Sequence, residues 1–304
     1  MILPIRDFLE LIRFSHTIFA LPFAILASTW AWIISYRQQD AASFTWTHAG
    51  GILLCMIAAR SFAMAFNRLV DARFDAVNPR TAGRHIPAGR LTVWSVAVFV
   101  AMTAITFVLS TLLFLPNSLP LVLSIPVLFF LAGYSYTKRF TSLAHYWLGV
   151  ALMLAPICAW IALRGDVVLT NPMDLLPAFL LGLGVLFWVG GFDLIYACQD
   201  AEIDKNLGLN SIPARLGVKN ALRIAAISHA VMMIPLAVLP WAVPNLALGW
   251  IYALGLLVVA GILVYEHSIV SADNLGRVNV AFFQANAVIS IVLLASGGID
   301  AWLK

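Results

Sequence analysis

Two columns of acidic residues carry the chemistry legible in this 304-residue chain. Asn67, Asp71 and Asp75 recur at intervals of four, and Asp193, Tyr196, Asp200 and Asp204 at intervals of three, four and four. On a helix such spacings stack side chains on one face. Each run therefore presents a ridge of oxygens, while Gln199 and Glu202 fall off it. Like charges four apart destabilise a helix by ~0.2–0.5 kcal/mol per pair, so five carboxylates converging at a membrane edge need compensation. Hard oxygen donors with no His beside them in the sequence point to Mg²⁺, which takes few carboxylates and completes its octahedron with water and substrate phosphate. The pattern thus predicts divalent ions bridging a diphosphate. Solvated acidic helix caps are the bland alternative; two motifs with matched spacing argue against it, because acids at membrane helices are functional by default.

The elements that must position these ridges are membrane helices. The chain is 62% apolar and 11% charged, with mean hydropathy +0.95, against roughly 25% charged in a soluble domain. Nine stretches approach the ~20 apolar residues a span needs: approximately 15–36, 49–67, 92–115, 119–137, 142–163, 175–199, 221–242, 245–265 and 279–299. The first is too long for a signal h-region, and Arg6, Asp7, Glu10 and Arg13 before it form an amphipathic stretch. Cys55, Cys158 and Cys198 lie inside spans without metal or disulfide spacing and read as small apolar residues. Under nine spans, fourteen Lys/Arg fall on the side of the N-terminus and of the 2–3 and 6–7 loops, and only Arg37, Arg164 and Lys304 on the other. That asymmetry assigns the acidic ends to the cytoplasm and accounts for the net charge of +4 without nucleic acid.

No linker divides the chain, which reads as one domain over 1–304. A faint echo divides it into halves of about 1–140 and 141–304. Asp71 and Asp75 precede Ile86-Pro87-Ala88-Gly89-Arg90-Leu91, and Asp200 and Asp204 precede Ile212-Pro213-Ala214-Arg215-Leu216. Parallel repeats of this kind occur in membrane proteins.

The pair NxxxDxxxD and DxxYxxxDxxxD, each on a helix followed by a basic loop, resembles the UbiA superfamily of intramembrane aromatic prenyltransferases. The resemblance spans nearly the whole chain. The segments HTIFALPFA (16–24), 67–91 and 193–217 are most similar to 4-hydroxybenzoate polyprenyltransferases, especially the branch assigned to futalosine-route menaquinone synthesis, whose acceptor is 1,4-dihydroxy-6-naphthoate. The resemblance implies an all-α integral membrane fold of nine helices ringed around a central cavity open to lipid. It implies one Mg²⁺ on Asn67, Asp71 and Asp75 and another on Asp193, Asp200 and Asp204, with Tyr196 matching the family tyrosine. Some members carry Arg directly after the first Asp, where this chain has Ala72 and then Arg73. Arg73 is the candidate to supply that charge, although it points in another helical direction.

Arg60 lies seven residues before Asn67, on the same face and deeper in the bilayer. It reads either as half of a structural ion pair or as a fork for a substrate carboxylate; the resemblance favours the fork. Tyr134-Ser135-Tyr136-Thr137-Lys138-Arg139 closes the fourth span. Lys138 and Arg139 there are ordinary anchors or, as the resemblance implies, neutralise the leaving diphosphate. Arg80, Arg84 and Arg90 read as a solvated loop, Glu266 and His267 as interfacial, and Asn279 and Asn286 as interhelical hydrogen-bonders. The expected partners are a polyprenyl diphosphate, a small aromatic acceptor and the bilayer, which in a bacterial cell would be the inner membrane. The rival from another class is a secondary transporter, which places its charges near the midplane. A CDP-alcohol phosphotransferase would need a DGxxAR-type signature that this chain lacks.

Overall fold

The computed structural model describes residues 5–11, 20–39 and 44–304. The described residues are 82% helical and include no strands. In order the helices are α1 (Ile5–Leu11), α2 (Leu21–Gln38), α3 (Trp46–Val70), α4 (Ala72–Val77), α5 (Val93–Thr111), α6 (Leu119–Thr137) and α7 (Ala144–Thr170). They continue with α8 (Leu176–Ala197), α9 (Ala201–Asn206), α10 (Ile212–Leu216), α11 (Val218–Ala242), α12 (Trp250–Ile269), α13 (Val278–Val280) and α14 (Asn286–Leu303).

Local chemistry sets several of the starts. Thr45 caps α3 by accepting from the His48 amide, and Thr92 caps α5 through the Ser95 amide, each satisfying a donor that helix geometry leaves free. Pro22, Pro120, Pro177 and Pro213 sit in first turns, where a missing N–H is harmless. Gly217 takes φ +80° between α10 and α11, a conformation that side chains resist.

Eight helical stretches among the described residues are long and apolar enough to cross a membrane. They correspond to the second through ninth expected spans. The first, 15–36, corresponds to α2, which runs into Arg37 and Gln38 and is not one of the eight; residues 15–19, with His16 and Thr17, lie outside the described residues.

The α8 helix is central, with 61% of its span buried against 17% for α6. Trp188 of α8 is fully enclosed, as are Trp30 of α2 and Trp160 of α7. Small residues let backbones approach there, as van der Waals packing in lipid requires. A Cβ at Gly149 of α7 would collide with the Leu186 carbonyl of α8, and one at Gly184 would lie 2.8 Å from Leu236 of α11. The α7 helix kinks at Arg164 (φ −128°). Asn117 Nδ2 donates to the Ile161 and Ala162 carbonyls at 2.7 and 3.2 Å, and Gly165 leaves room for its side chain. Arg164 itself is buried and paired with Asp174 at 2.7 Å, so this cation is a structural tie rather than a loop charge.

Two sequence expectations fail here. Glu266 is fully buried, not interfacial: Asn286 Nδ2 lies 3.5 Å from its Oε1, and Trp188 Nε1 donates to Asn286 Oδ1 at 2.6 Å. Asn286 thus behaves as expected, whereas Asn279 is exposed because the helical run is interrupted by a π-turn at Ala281–Ala285, which resets the face.

Gly149→Leu is expected to destabilise the bundle by about 3 kcal/mol or more through overpacking. Gly298→Ala, with open space around it, should stay within about 0.5 kcal/mol. Thermal melting in detergent compares them.

Candidate active site

Three helix ends converge. The end of α3 and the following α4 carry Asn67, Asp71 and Asp75; α6 ends in Tyr134, Ser135, Lys138 and Arg139; α8 and α9 carry Asp193, Tyr196, Asp200 and Asp204. All of these residues line one cavity of ≈ 190 Å³, together with Asn78, Arg80, Thr81 and Arg84. The i,i+4 geometry persists through the α3–α4 join, because the Asp71 amide donates to Asn67 and the Asp75 amide to Asp71. Asp75, Asp200 and Asp204 are only 6%, 6% and 4% exposed. The reading as solvated caps therefore fails.

Each carboxylate has a base of its own. Arg139 reaches Asp71 at 3.3 Å, Arg84 reaches Asp75 at 2.6 Å, and Lys138 reaches Asp204 at 3.2 Å. Arg80 grips Asp200 with two nitrogens, Nε at 2.7 Å and Nη2, and also donates to the Tyr196 hydroxyl at 2.9 Å. The His145 ring nitrogen Nδ1 lies 2.7 Å from Asp193 Oδ2. Divalent ions are thus not the sole means of tolerating this charge. Breaking such a partly buried pair is what destabilises, because it strands one charge. Asp71 also takes a 2.7 Å hydrogen bond from Asn67, yet burial and then neighbouring Asp75 hold its carboxyl above the ordinary range.

The donor set fits Mg²⁺. It offers hard oxygens, and the buried Asp75 Oδ2 has no hydrogen-bond partner, a lone pair aimed at nothing in the protein. Mg²⁺ takes few carboxylates and completes its shell with phosphate oxygens. The acids are arranged around the cavity wall rather than at a point. Among the described residues, the three-residue acid/His grouping with ligand atoms within 4.8 Å is instead Asp7, Glu10 and His85, and Arg90 already binds both acids there.

The corrections are specific. Arg80 and Arg84 are not a solvated loop; they are the partners of the buried Asp200 and Asp75. Arg90 does remain outside, on α1. Arg73 is exposed and faces a neighbouring hollow, off the acidic ridge, so it does not supply the charge once sought beside Asp71. His145 had no sequence signal beyond being polar at the start of an apolar run, and its role appears only when α7 packs on α8.

Arg60 lines a second cavity of ≈ 220 Å³ between α3, α5, α6 and α7. That space is bounded mainly by apolar side chains such as Ile52, Met56, Phe107, Leu131 and Leu152. Tyr134 borders both cavities. A charged space thus adjoins an apolar one that holds a single guanidinium.

Residues 20–288 match the UbiA prenyltransferase family. Proteins named 4-hydroxybenzoate octaprenyltransferase from Tolumonas auensis and Methylobacillus flagellatus are 32% and 28% identical, covering 68% and 90% of both chains respectively. A UbiA homologue from Aeropyrum pernix K1 superimposes with a TM-score of 0.80 at 29% identity, over 95% of this chain and 98% of that one. A homologue from Archaeoglobus fulgidus bound to GPP and Mg²⁺ shares the fold, with a TM-score of 0.67 at 17% identity, over 97% and 99% of the two chains. This chain belongs to the UbiA prenyltransferase family, an integral membrane family.

Arg84→Ala should lower metal-free stability by about 2 kcal/mol, less than the ~3–5 of a fully buried pair, because Arg84 is partly exposed. Added Mg²⁺ should recover part of the loss. Melting curves with and without chelator read both effects.

Proposed function

We propose that the protein transfers a polyprenyl group from its diphosphate to an aromatic carboxylic acid, 4-hydroxybenzoate or a similar acceptor, in quinone biosynthesis. The carrying observation is the adjacency of the two cavities, one ringed by acids and bases and the other apolar with Arg60 in its wall. The relatives named 4-hydroxybenzoate octaprenyltransferase support the acceptor class.

Cleaving an allylic C–O bond leaves a carbocation and a diphosphate anion. Asn67, Asp71, Asp75, Asp193, Asp200 and Asp204 are the residues that would hold Mg²⁺. When bound, Mg²⁺ supplies charge stabilisation to the departing diphosphate oxygens. Lys138 and Arg139 add preorganised positive charge at the same wall, which favours the transition state over the substrate. Arg80 and Arg84, which line the same cavity, would add further N–H donors to that anion if their carboxylates held metal. Phe, Leu and Met side chains of the apolar cavity exclude water from the cation, and Tyr134 at the junction offers a ring face to it. Arg60 forks the acceptor carboxylate and turns the electron-rich ring toward the junction; a ring carbon bonds to the allylic carbon freed from the diphosphate, and the ring proton passes to the released diphosphate or to water, which restores aromaticity. A polyprenyl tail left among apolar helices stays in lipid-like surroundings.

We read the chain as one domain of two pseudo-repeat halves, about 1–140 and 141–304. In a bacterium it would lie in the inner membrane, with the acidic cavity toward the cytoplasm; the Lys/Arg asymmetry supports that orientation.

Asp71→Ala or Asp200→Ala should reduce turnover at least about 100-fold, as losing a stabiliser of developing charge does, while the protein still inserts. A radiolabelled polyprenyl diphosphate assay with saturating Mg²⁺ reads this; near-normal rates would refute the assignment. The same assay, offering 4-hydroxybenzoate and 1,4-dihydroxy-6-naphthoate side by side, identifies the acceptor. Arg60→Ala should chiefly raise the acceptor KM, whereas a lost affinity for the prenyl donor with unchanged acceptor KM would reverse its role.

A further inference from the structure

The helix that carries the first acidic ridge has a second face. Asn67, Asp71, Asp75 and Asn78 turn into the acidic cavity, while Val70, Arg73, Phe74 and Val77 line a separate hollow closed by Arg139 and Leu207. The spacing of three, one and three is one helical stripe. Phe74, Arg139 and Leu207 line both spaces, so they form the wall between them.

Among the described residues, no acid lines this hollow. The Arg73 side chain makes no hydrogen bond or ion pair with any described residue, and the cavity carboxylates are each matched to another base. Its charge is therefore uncommitted. Arg139 is different. It is anchored by the Val70 carbonyl at 3.0 Å and flanked by the Phe74 and Tyr136 rings at 5.1 Å each, and it also touches Asp71. Two guanidiniums on one small surface repel each other, and a multiply charged anion relieves that. The rest of the lining is apolar, which suits an anion attached to a hydrocarbon stem.

We propose that this hollow is a second anion subsite for the diphosphate group, holding it without metal on its way to or from the acidic cavity, with Arg73 and Arg139 as the binding groups. This rests on the prenyl-transfer reading for its ligand, but the binding itself can be measured independently. The physical division of labour is clear: the hollow attracts an anion by uncompensated positive charge, whereas the acidic cavity attracts one only once its carboxylates hold cations. The attraction acts within a Debye length of ~8 Å at physiological salt, so the subsite should weaken as salt rises.

The test uses the full chain in neutral-lipid nanodiscs with excess chelator and inorganic diphosphate as the probe, followed by calorimetry. An environment-sensitive label on Val77→Cys, a position that lines the hollow, reports location. Wild type should bind diphosphate without metal and change the label's emission. Arg73→Gln should weaken binding at least fivefold, and Arg73→Lys should retain most of it; because Arg73 is exposed, both should melt like wild type. In turnover assays Arg73→Gln should raise the inhibition constant of inorganic diphosphate by a similar factor. Metal-free binding that is absent, or unchanged in Arg73→Gln, overturns the proposal. An anionic lipid headgroup offers the same chemistry: if Arg73→Gln alters the response to phosphatidylglycerol but not diphosphate binding, the hollow is a lipid site and the proposal falls. A wild type that binds diphosphate in chelator yet transfers no prenyl group would sink the enzymatic reading and leave the anion subsite standing.

Discussion

Charge neutrality in a poorly solvated space is the constraint from which the rest of this structure follows. Five carboxylates on two helix tips meet around one cavity, and burying any of them unpaired would cost several kcal/mol. The fold answers with five bases drawn from four places: the loop after α4, the end of α6, the start of α7 and the bend beyond α6. The loop is itself tied down, since Thr81 Oγ1 donates to the Asp75 carbonyl at 3.0 Å and Asn78 Oδ1 accepts from the Arg80 amide at 2.9 Å. Ion pairs of this kind are exchangeable. Under the proposed function, carboxylates holding a metal would leave their paired arginines available to a phosphate. The residues proposed to bind anion are thus paired here with those proposed to bind cation.

The outer clasp of that loop is cheaper chemistry. Arg90 bonds Asp7 and Glu10 of α1, while Phe8 and Leu11 bury against Ala65, Leu91 and Val96. Hydrogen bonds from Arg90 and Arg6 hold the Glu10 carboxyl at about 2, so this contact survives mild acid and is lost only as pH falls through that value. Being exposed, it adds little to stability. It joins α1 to that loop, whereas the frame beneath comes from α8 packed against α7 and α11, with Gly149 of α7 and Gly184 of α8 allowing the close approaches.

Much of this was legible in the sequence because period and composition encode it directly. The i,i+4 spacing of Asp71 and Asp75, and of Asp200 and Asp204, fixed a common face before any partner was known, and apolar runs located the helices. What stayed hidden was long-range pairing. Arg80 and Arg84 look like any positive-inside loop until the chain brings Asp200 alongside, and His145 carries no spacing signal toward Asp193. Glu266 seemed interfacial because it lies near a helix end, yet it is fully buried beside Asn286 and His229. Arg73 shows the reverse error. Its proximity in sequence to Asp71 suggested a shared role, but two residues along a helix turn a side chain roughly 200° away.

The central proposal is that the two aspartate ridges would hold a divalent metal at the substrate diphosphate. Mn²⁺ substituted for Mg²⁺, with a polyprenyl diphosphate bound to the full chain, permits electron–nuclear double resonance at the ³¹P nuclei. The account predicts a phosphorus coupling of the size found when phosphate oxygen ligates the ion directly. Tight donor binding in which Mn²⁺ shows no phosphorus coupling would contradict it.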